Sequence, residues 1–217
     1  MSIHYYFSWF SEGFPDCVIK KLNDDISLRK LLVMISGSPS DPFESDLLAK
    51  SWFNKGNIFF DEYEIINYKS DKNKTNEIIK NASVIFLCGG YPSLQNDFLI
   101  EYNLIDSIKV SDAIIMGASA GAMNMSSKWL SSKNTSQNVS KSSIISGIGM
   151  DSIYFCTKEN QSINDTQLLE ELLPLSNEID IYMAIDEVAI RIEDGIDISG
   201  EVYCISKGII KKLKSTF

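Results

Sequence analysis

The sequence predicts an α/β protein with a mostly parallel, doubly wound sheet, helices on both faces and an antiparallel C-terminal edge. Short apolar runs alternate with longer stretches of helical periodicity through the first half of the chain, as βα repeats do. Val84–Cys88 and Ala113–Met116 are apolar at every position, which is typical of central parallel strands. No repeat or linker divides the chain, so we expect one domain over residues 1–217.

The predicted strands of the first half are Ile3–Trp9, Leu31–Ser36, Phe59–Asn67, Val84–Cys88 and Ala113–Gly117. The predicted helices are Pro15–Leu22, Pro42–Asn54, Lys74–Asn81 and Leu94–Ser107, and another helix begins after Ser119. Asp41 is a suitable N-cap for the second of these helices, because Pro42 then occupies the first helical position.

The second half has a different pattern. Residues 126–146 are rich in Ser, Lys and Asn, which predicts a surface excursion or flexible flap. A strand (Ile153–Thr157) and a helix (Asp165–Leu173) come next, and strands are then predicted at Ile179–Ile185, Val188–Ile192, Glu201–Ile205 and Ile209–Leu213. The Glu193-Asp194-Gly195 sequence between two of these strands is typical of a hairpin turn.

Composition excludes several classes of protein. The chain has 20 basic and 29 acidic residues, and its net charge of −9 argues against a nucleic-acid or anionic-membrane surface. The four cysteines are widely spaced, which indicates reduced, buried thiols in a cytoplasmic protein and neither a metal site nor a disulfide framework. No apolar stretch reaches the ~20 residues of a membrane span. We expect no cofactor, and a homodimer remains open.

The strongest chemical signal is the sequence Gly117-Ala118-Ser119-Ala120-Gly121-Ala122, which directly follows an apolar strand. A serine between small residues at a strand-to-helix turn is a nucleophile elbow, since only small neighbours let strand and helix approach. The N–H of Ala120 would then face the serine oxygen and stabilise an oxyanion. A Gly/Ala-rich turn kept only for packing is the alternative.

A diglycine, Gly89-Gly90, ends the apolar run Val84–Cys88. Ligands of α/β proteins bind at the carboxyl ends of parallel strands, so these backbone N–H groups are candidates for substrate and oxyanion contacts. A simple turn before a helix is the competing interpretation.

Together these motifs resemble the peptidase E (aspartyl dipeptidase) and cyanophycinase family of serine peptidases. The resemblance rests on Gly89-Gly90, on Gln95, on the segment around Ser119 and on Ile181–Ile190, which is similar to the family's late strand pair. It implies a fold similar to class I glutamine amidotransferases. It also implies that Ser119 is the nucleophile, that Gly90 and Ala120 form the oxyanion hole, and that Gly89 and Gln95 contact substrate.

The catalytic histidine of that family is missing. Gly147–Met150 matches the segment that precedes the family's Pro-His step, and counting forward puts that step at Thr157-Lys158. The only histidine, His4, begins the first strand and is expected at the sheet edge opposite Ser119. Lys158 is the candidate replacement, because a desolvated, neutral lysine can act as the base for a serine nucleophile.

The remaining candidates are acidic. Asp186 and Glu187, with Glu159 behind them, are candidates to orient a base, but without an imidazole to orient, a polar turn between two strands is the favoured interpretation. The sequence therefore predicts a peptidase E-like serine hydrolase for small peptides or amides, with impaired or altered catalysis. The alternative is an inactive family member that binds a ligand or regulates a partner.

Overall fold

The computed structural model describes residues 2–40, 44–135, 139–158 and 160–217. The strands are β1 (His4–Phe7), β2 (Leu31–Gly37), β3 (Glu62–Ile66), β4 (Val84–Gly90), β5 (Ile114–Ala118), β6 (Lys128–Ser131), β7 (Ser143–Ser146), β8 (Ile153–Cys156), β9 (Asp180–Ile192), β10 (Ile196–Ser206) and β11 (Ile209–Lys212). The helices are α1 (Asp16–Asp25), α2 (Glu44–Lys55), α3 (Lys72–Lys80), α4 (Pro92–Glu101), α5 (Leu104–Lys109), α6 (Ala120–Met125) and α7 (Thr166–Leu175). The predicted N-cap Asp41 and its neighbour Pro42 lie outside the described residues.

The main sheet of the described chain has the strand order β3-β2-β4-β5-β1-β9-β10-β11, and β8 pairs with β9 beside this path. Strands β3, β2, β4, β5 and β1 are mutually parallel. The remaining part is antiparallel from β1 through β9 and β10 to β11, and only β8 runs parallel to its neighbour β9. The predicted α/β fold, with its antiparallel C-terminal edge, is confirmed.

Helices cover both faces of the sheet because alternate residues of the central strands point to opposite sides. On one face Ile85 and Leu87 of β4 pack in the same cluster as Leu99 of α4 and Ile108 of α5. On the other face Phe86 packs with the aromatic side chains of the β1–α1 segment and α2. The central strands are therefore buried on both sides, as their uniform apolar character predicts.

The predicted helix Leu94–Ser107 is two helices. Asn103 adopts a left-handed conformation with φ 54°, which ends α4 and starts α5. Asparagine tolerates this conformation better than most residues, so the break is a local property that helical periodicity does not reveal.

In its described parts, the segment 126–146 is an anchored hairpin and not the predicted surface excursion or flexible flap. Strands β6 and β7 pair antiparallel, and Trp129 is fully buried in a cluster with α7, β8 and β9. Glu171 of α7 accepts hydrogen bonds from Ser132, Asn134 and Ser142 at 2.6–2.9 Å. Few apolar residues are enough to hold this segment, because its serines and asparagine bond to one carboxylate.

The two predicted strands around Asp186 are one strand, β9. Asp186 has a φ of 57°, and the pairing of β9 with β10 shifts register between Ser199 and Glu201, where Gly200 has a φ of 96°. The polar pair Asp186-Glu187 therefore marks a bulge inside a long strand and not a turn between two strands.

Candidate active site

Ser119 lies at the carboxyl end of β5, at the sheet edge where β1 and β4 also end. Its N–H donates to the carbonyl oxygen of Phe7 at 2.9 Å, and its own carbonyl accepts from Met123 N–H as α6 begins. Its backbone angles are φ 49° and ψ −111°. A non-glycine residue with such angles stores about 1–3 kcal/mol of strain, and residues of this kind concentrate at functional sites.

Small residues let α6 approach the strands. A Cβ on Gly121 would lie 2.0 Å from the carbonyl oxygen of Leu87, and a Cβ on Gly117 would lie 2.6 Å from the backbone of Gly121. No side chain fits at either position without a shift of backbone. This is the spacing that a nucleophile elbow requires, and it places Ser119 at the apex of the turn.

The diglycine lies beside this turn. A Cβ on Gly89 would meet the ring of Trp9 at 2.6 Å and the carbonyl oxygen of Ala118 at 3.5 Å. Gly90 has a φ of 153° and packs against the backbone of Gly37 in β2. Gly89 and the elbow are therefore neighbours in space, and the ring of Trp9 covers Gly89.

A cavity of about 520 Å³ opens at Ser119. Both chain segments predicted to carry catalytic groups line it, since Ser119 and Lys158 are among its wall residues. Among the described residues the lining is Ser8, Trp9, Ser11, Ser119, Thr157, Lys158, Asn160, Asp186 and Glu187. The cavity thus brings one serine nucleophile candidate, one lysine and two carboxylates to the carboxyl ends of β1, β5 and β8.

Lys158 follows β8 and begins a tight turn. Its carbonyl oxygen accepts from Gln161 N–H at 3.3 Å, and Asn160 has a left-handed φ of 55°. The buried side chain of Gln161 donates to the carbonyl oxygens of Cys156 and Ala184 at 3.2 and 2.8 Å, which ties the turn to β8 and β9. The half-buried Lys158 forms no salt bridge with the described carboxylates, and Glu159 lies outside the described residues.

The two acidic wall residues differ in their partners. One oxygen of Glu187 accepts hydrogen bonds from the N–H and the hydroxyl of Ser11, at 2.9 and 2.8 Å. Asp186 is exposed, and its strained backbone turns it toward the same cavity. Glu187 therefore links β9 to the segment after β1, and Asp186 adds a solvated negative charge to the wall.

His4 lies at the amino end of β1, at the opposite end of the parallel strands from Ser119, as expected. It pairs with Ile115, four residues before Ser119, which corresponds to about 13 Å along the strand. Its ring contacts Ser2 and Asp151 and no wall residue of the cavity at Ser119. Within the described residues no imidazole reaches Ser119.

Gln95 lies behind the diglycine. Its side chain is fully buried, its amide group donates to the carbonyl oxygens of Ser36 and Cys88, and its oxygen accepts from Asn124. Burial with these partners gives Gln95 a supporting position under the β4 terminus, and it is not among the wall residues of the cavity at Ser119.

The thiols of Cys88 and Cys156 are buried near the site. Burial, with a contribution from Asp46, raises the pKa of Cys88 well above its ordinary value, and burial raises the pKa of Cys156 to about 12. In the described parts of the chain no three His, Cys, Asp or Glu side chains are grouped to hold a metal ion. The described helices are all too short or too polar to cross a membrane.

The sequence missed several wall residues, above all Trp9, Ser11 and Asn160. Trp9 and Ser11 follow β1, which is a parallel neighbour of β5, so the rule that sites form at the carboxyl ends of parallel strands could have found them. That rule needs the strand order, which the sequence alone does not provide. Asn160 had no signal beyond its place in a turn.

The fold is an α/β architecture, and two solved structures share it. One is a peptidase from an acI-B1 Actinobacterium, with a TM-score of 0.74 and 18% identity over 99% of this chain and 95% of that chain. The other is a candidate peptidase E from Listeria monocytogenes EGD-e, with a TM-score of 0.66 and 13% identity over 99% and 100%.

These structures confirm the predicted resemblance to peptidase E at the level of the fold. No protein-family model matches the chain, and no curated protein matches it. Since both identities are low, the likeness defines the architecture, and the chemistry must be argued from the residues of this chain.

Proposed function

We propose that the chain is a peptidase E-like serine hydrolase, in which Ser119 attacks small peptides or amides and forms an acyl-enzyme. The observation that carries this proposal is the strained backbone of Ser119 at a strand-to-helix turn that opens on a cavity. The shared fold of the two peptidases supports it. The overall negative charge of the chain fits an uncharged or cationic peptide better than a nucleic acid.

In the proposed reaction Ser119 Oγ forms a bond to the substrate carbonyl carbon, and the C–N bond then breaks. The N–H groups of Gly90 and Ala120 stabilise the oxyanion, and the backbone of Gly89, on which the ring of Trp9 packs, contacts the substrate beside them. Neutral Lys158 takes the proton of Ser119 and passes it to the leaving amine. Water then hydrolyses the acyl-enzyme along the reverse proton path.

Catalysis is expected to be weaker than that of a serine–histidine peptidase. Loss of the base from a serine triad costs about 10⁴–10⁶ in turnover, and a lysine recovers part of this only where it is neutral. Activity should therefore rise toward alkaline pH, because an amine base acts only in its neutral form.

The proposal is tested by the rate at which a fluorophosphonate labels the peptide that carries Ser119 between pH 6 and 10. The wild type is compared with Ser119→Ala, Lys158→Ala and Lys158→Arg, and Lys128→Ala at a distant surface site is the control. Labelling that needs Ser119, rises with pH and is lost in both Lys158 variants supports the Ser–Lys mechanism, since arginine keeps the charge but cannot act as a base. Labelling that survives Lys158→Arg assigns the base to another group.

A second candidate function is ligand binding without catalysis. It is favoured by the position of the only histidine, which lies far from the cavity at Ser119. It predicts a folded protein that is not labelled at any pH but that binds short peptides in calorimetry. Binding should weaken when Trp9 on the cavity wall is replaced by alanine.

A further inference from the structure

The only histidine of the chain is held between an acid and a serine. His4 Nδ1 lies 2.9 Å from a carboxylate oxygen of Asp151, and His4 Nε2 lies 2.9 Å from the hydroxyl of Ser2. The His4 side chain is 7% exposed and that of Asp151 is 16% exposed, whereas Ser2 is exposed. A solvent-accessible hydroxyl thus meets a buried imidazole that is already oriented by a carboxylate.

The partners of Asp151 determine which atoms donate and which accept in the hydrogen bonds that join Ser2, His4 and Asp151. Tyr6 donates its hydroxyl to the same Asp151 oxygen at 2.7 Å, and burial together with Asp151 raises the pKa of Tyr6 well above its ordinary value. Ionised Asp151 has no proton to give, so Nδ1 of His4 donates to it. In the neutral imidazole Nε2 then carries the lone pair, and it accepts the Ser2 proton.

A groove of about 290 Å³ begins at Ser2. Its walls combine apolar residues such as Ile3, Ile26 and Leu28 with the carboxylates of Asp25 and Asp112. The volume fits a small acyl group, and the two carboxylates disfavour an anionic substrate. The groove lies where β1 begins, at the amino ends of the parallel strands, whereas Ser119 lies at their carboxyl ends.

We propose that Ser2, His4 and Asp151 form a second nucleophilic site that takes the acyl group of small, uncharged esters. Ser2 Oγ bonds to the ester carbonyl carbon while its proton moves to His4 Nε2. The bond to the leaving alkoxide breaks, and His4 returns the proton to that oxygen. Water then attacks the acyl-serine with His4 as base, which releases the acid and restores the site. Asp151 is a positioning residue.

The test uses full-length protein carrying Ser119→Ala, so that the first site contributes nothing. This protein is treated with p-nitrophenyl acetate, and the acetylated residues are located by peptide mass mapping. Ser27 lines the same groove without a histidine partner and is the internal control. We expect acetylation of Ser2 at least about 100-fold faster than that of Ser27, because a positioned base contributes about 10²–10⁴.

Variants then assign the roles. Ser2→Ala should abolish the adduct on its peptide, His4→Gln should reduce the Ser2 rate about 100-fold, and Asp151→Asn should reduce it while Asp151→Glu restores part of it. The acetylation rates of Ser2 and Ser27 are both measured in the Ser119→Ala protein, which has no substitution at His4 or Asp151. Their ratio therefore tests the proposal even if His4→Gln does not fold. Equal rates at Ser2 and Ser27, or folded protein that neither carries an adduct on Ser2 nor releases p-nitrophenolate faster than its Ser2→Ala variant, would overturn the proposal.

Discussion

The close packing of α6 on β4 predicts that Gly121→Ala is strongly destabilising. The added Cβ would lie 2.0 Å from the carbonyl oxygen of Leu87, which is 1.4 Å less than the 3.4 Å at which ordinary contact begins. Neither atom belongs to a flexible side chain, so the helix or the strand must move. Overpacking of this kind costs about 1–3 kcal/mol, and contact with backbone on both sides places this substitution at the upper end, about 3 kcal/mol.

Urea unfolding measures this loss. With a slope of about 2.5 kcal/mol per M, a loss of about 3 kcal/mol lowers the midpoint by roughly 1 M. Gly195→Ala is the matched control, since nothing lies within 4 Å of its added Cβ, and its free energy of unfolding should stay within about 0.5 kcal/mol of wild type. Equal midpoints for the two variants would refute the packing that positions Ser119.

Three other predictions address the rest of the structure. Trp129→Ala removes a fully buried side chain and should cost about 3–5 kcal/mol in urea unfolding, whereas a surface flap at 126–146 would lose almost nothing. Burial opposes ionisation of Glu171, but three hydrogen bonds outweigh it and lower its pKa, so its contribution to stability is present at neutral pH and is lost as pH falls through the acid range. Glu171→Gln should therefore lose less stability than wild type between pH 7 and pH 4, and an identical acid loss would exclude this role. Iodoacetamide at pH 8 should modify the exposed Cys17 in folded protein and spare the buried Cys88, and fast modification of Cys88 would contradict the packing behind the diglycine.

The sequence was sufficient for the parts of the fold that depend on local pattern. Val84–Cys88 and Ala113–Met116 are uniformly apolar because both faces of a central strand are buried, and this property is visible without a structure. The elbow was visible in the sequence because its packing requires glycine at two positions. A Cβ on Gly117 or Gly121 would lie closer to neighbouring backbone than any side chain tolerates.

The parts that were missed depend on contacts between distant segments. Trp129 is buried by residues of α7 and β9 that are far from it in sequence, so the polar composition around it was misleading. Gln95 was expected to face a substrate, and its burial follows from partners on β2, β4 and α6. Asp186 was placed in a turn because a bulge within one long strand leaves the same polar pattern in the sequence.

The central claim is that Ser119 is a nucleophile, and mass mapping of a fluorophosphonate adduct tests it most directly. We predict an adduct at alkaline pH on the peptide that carries Ser119, mapped separately from any adduct on Ser2, and its loss in Ser119→Ala. Ser11 lines the same cavity and is the internal comparison. Folded protein with no adduct on Ser119, or with Ser11 labelled equally fast, would contradict the claim.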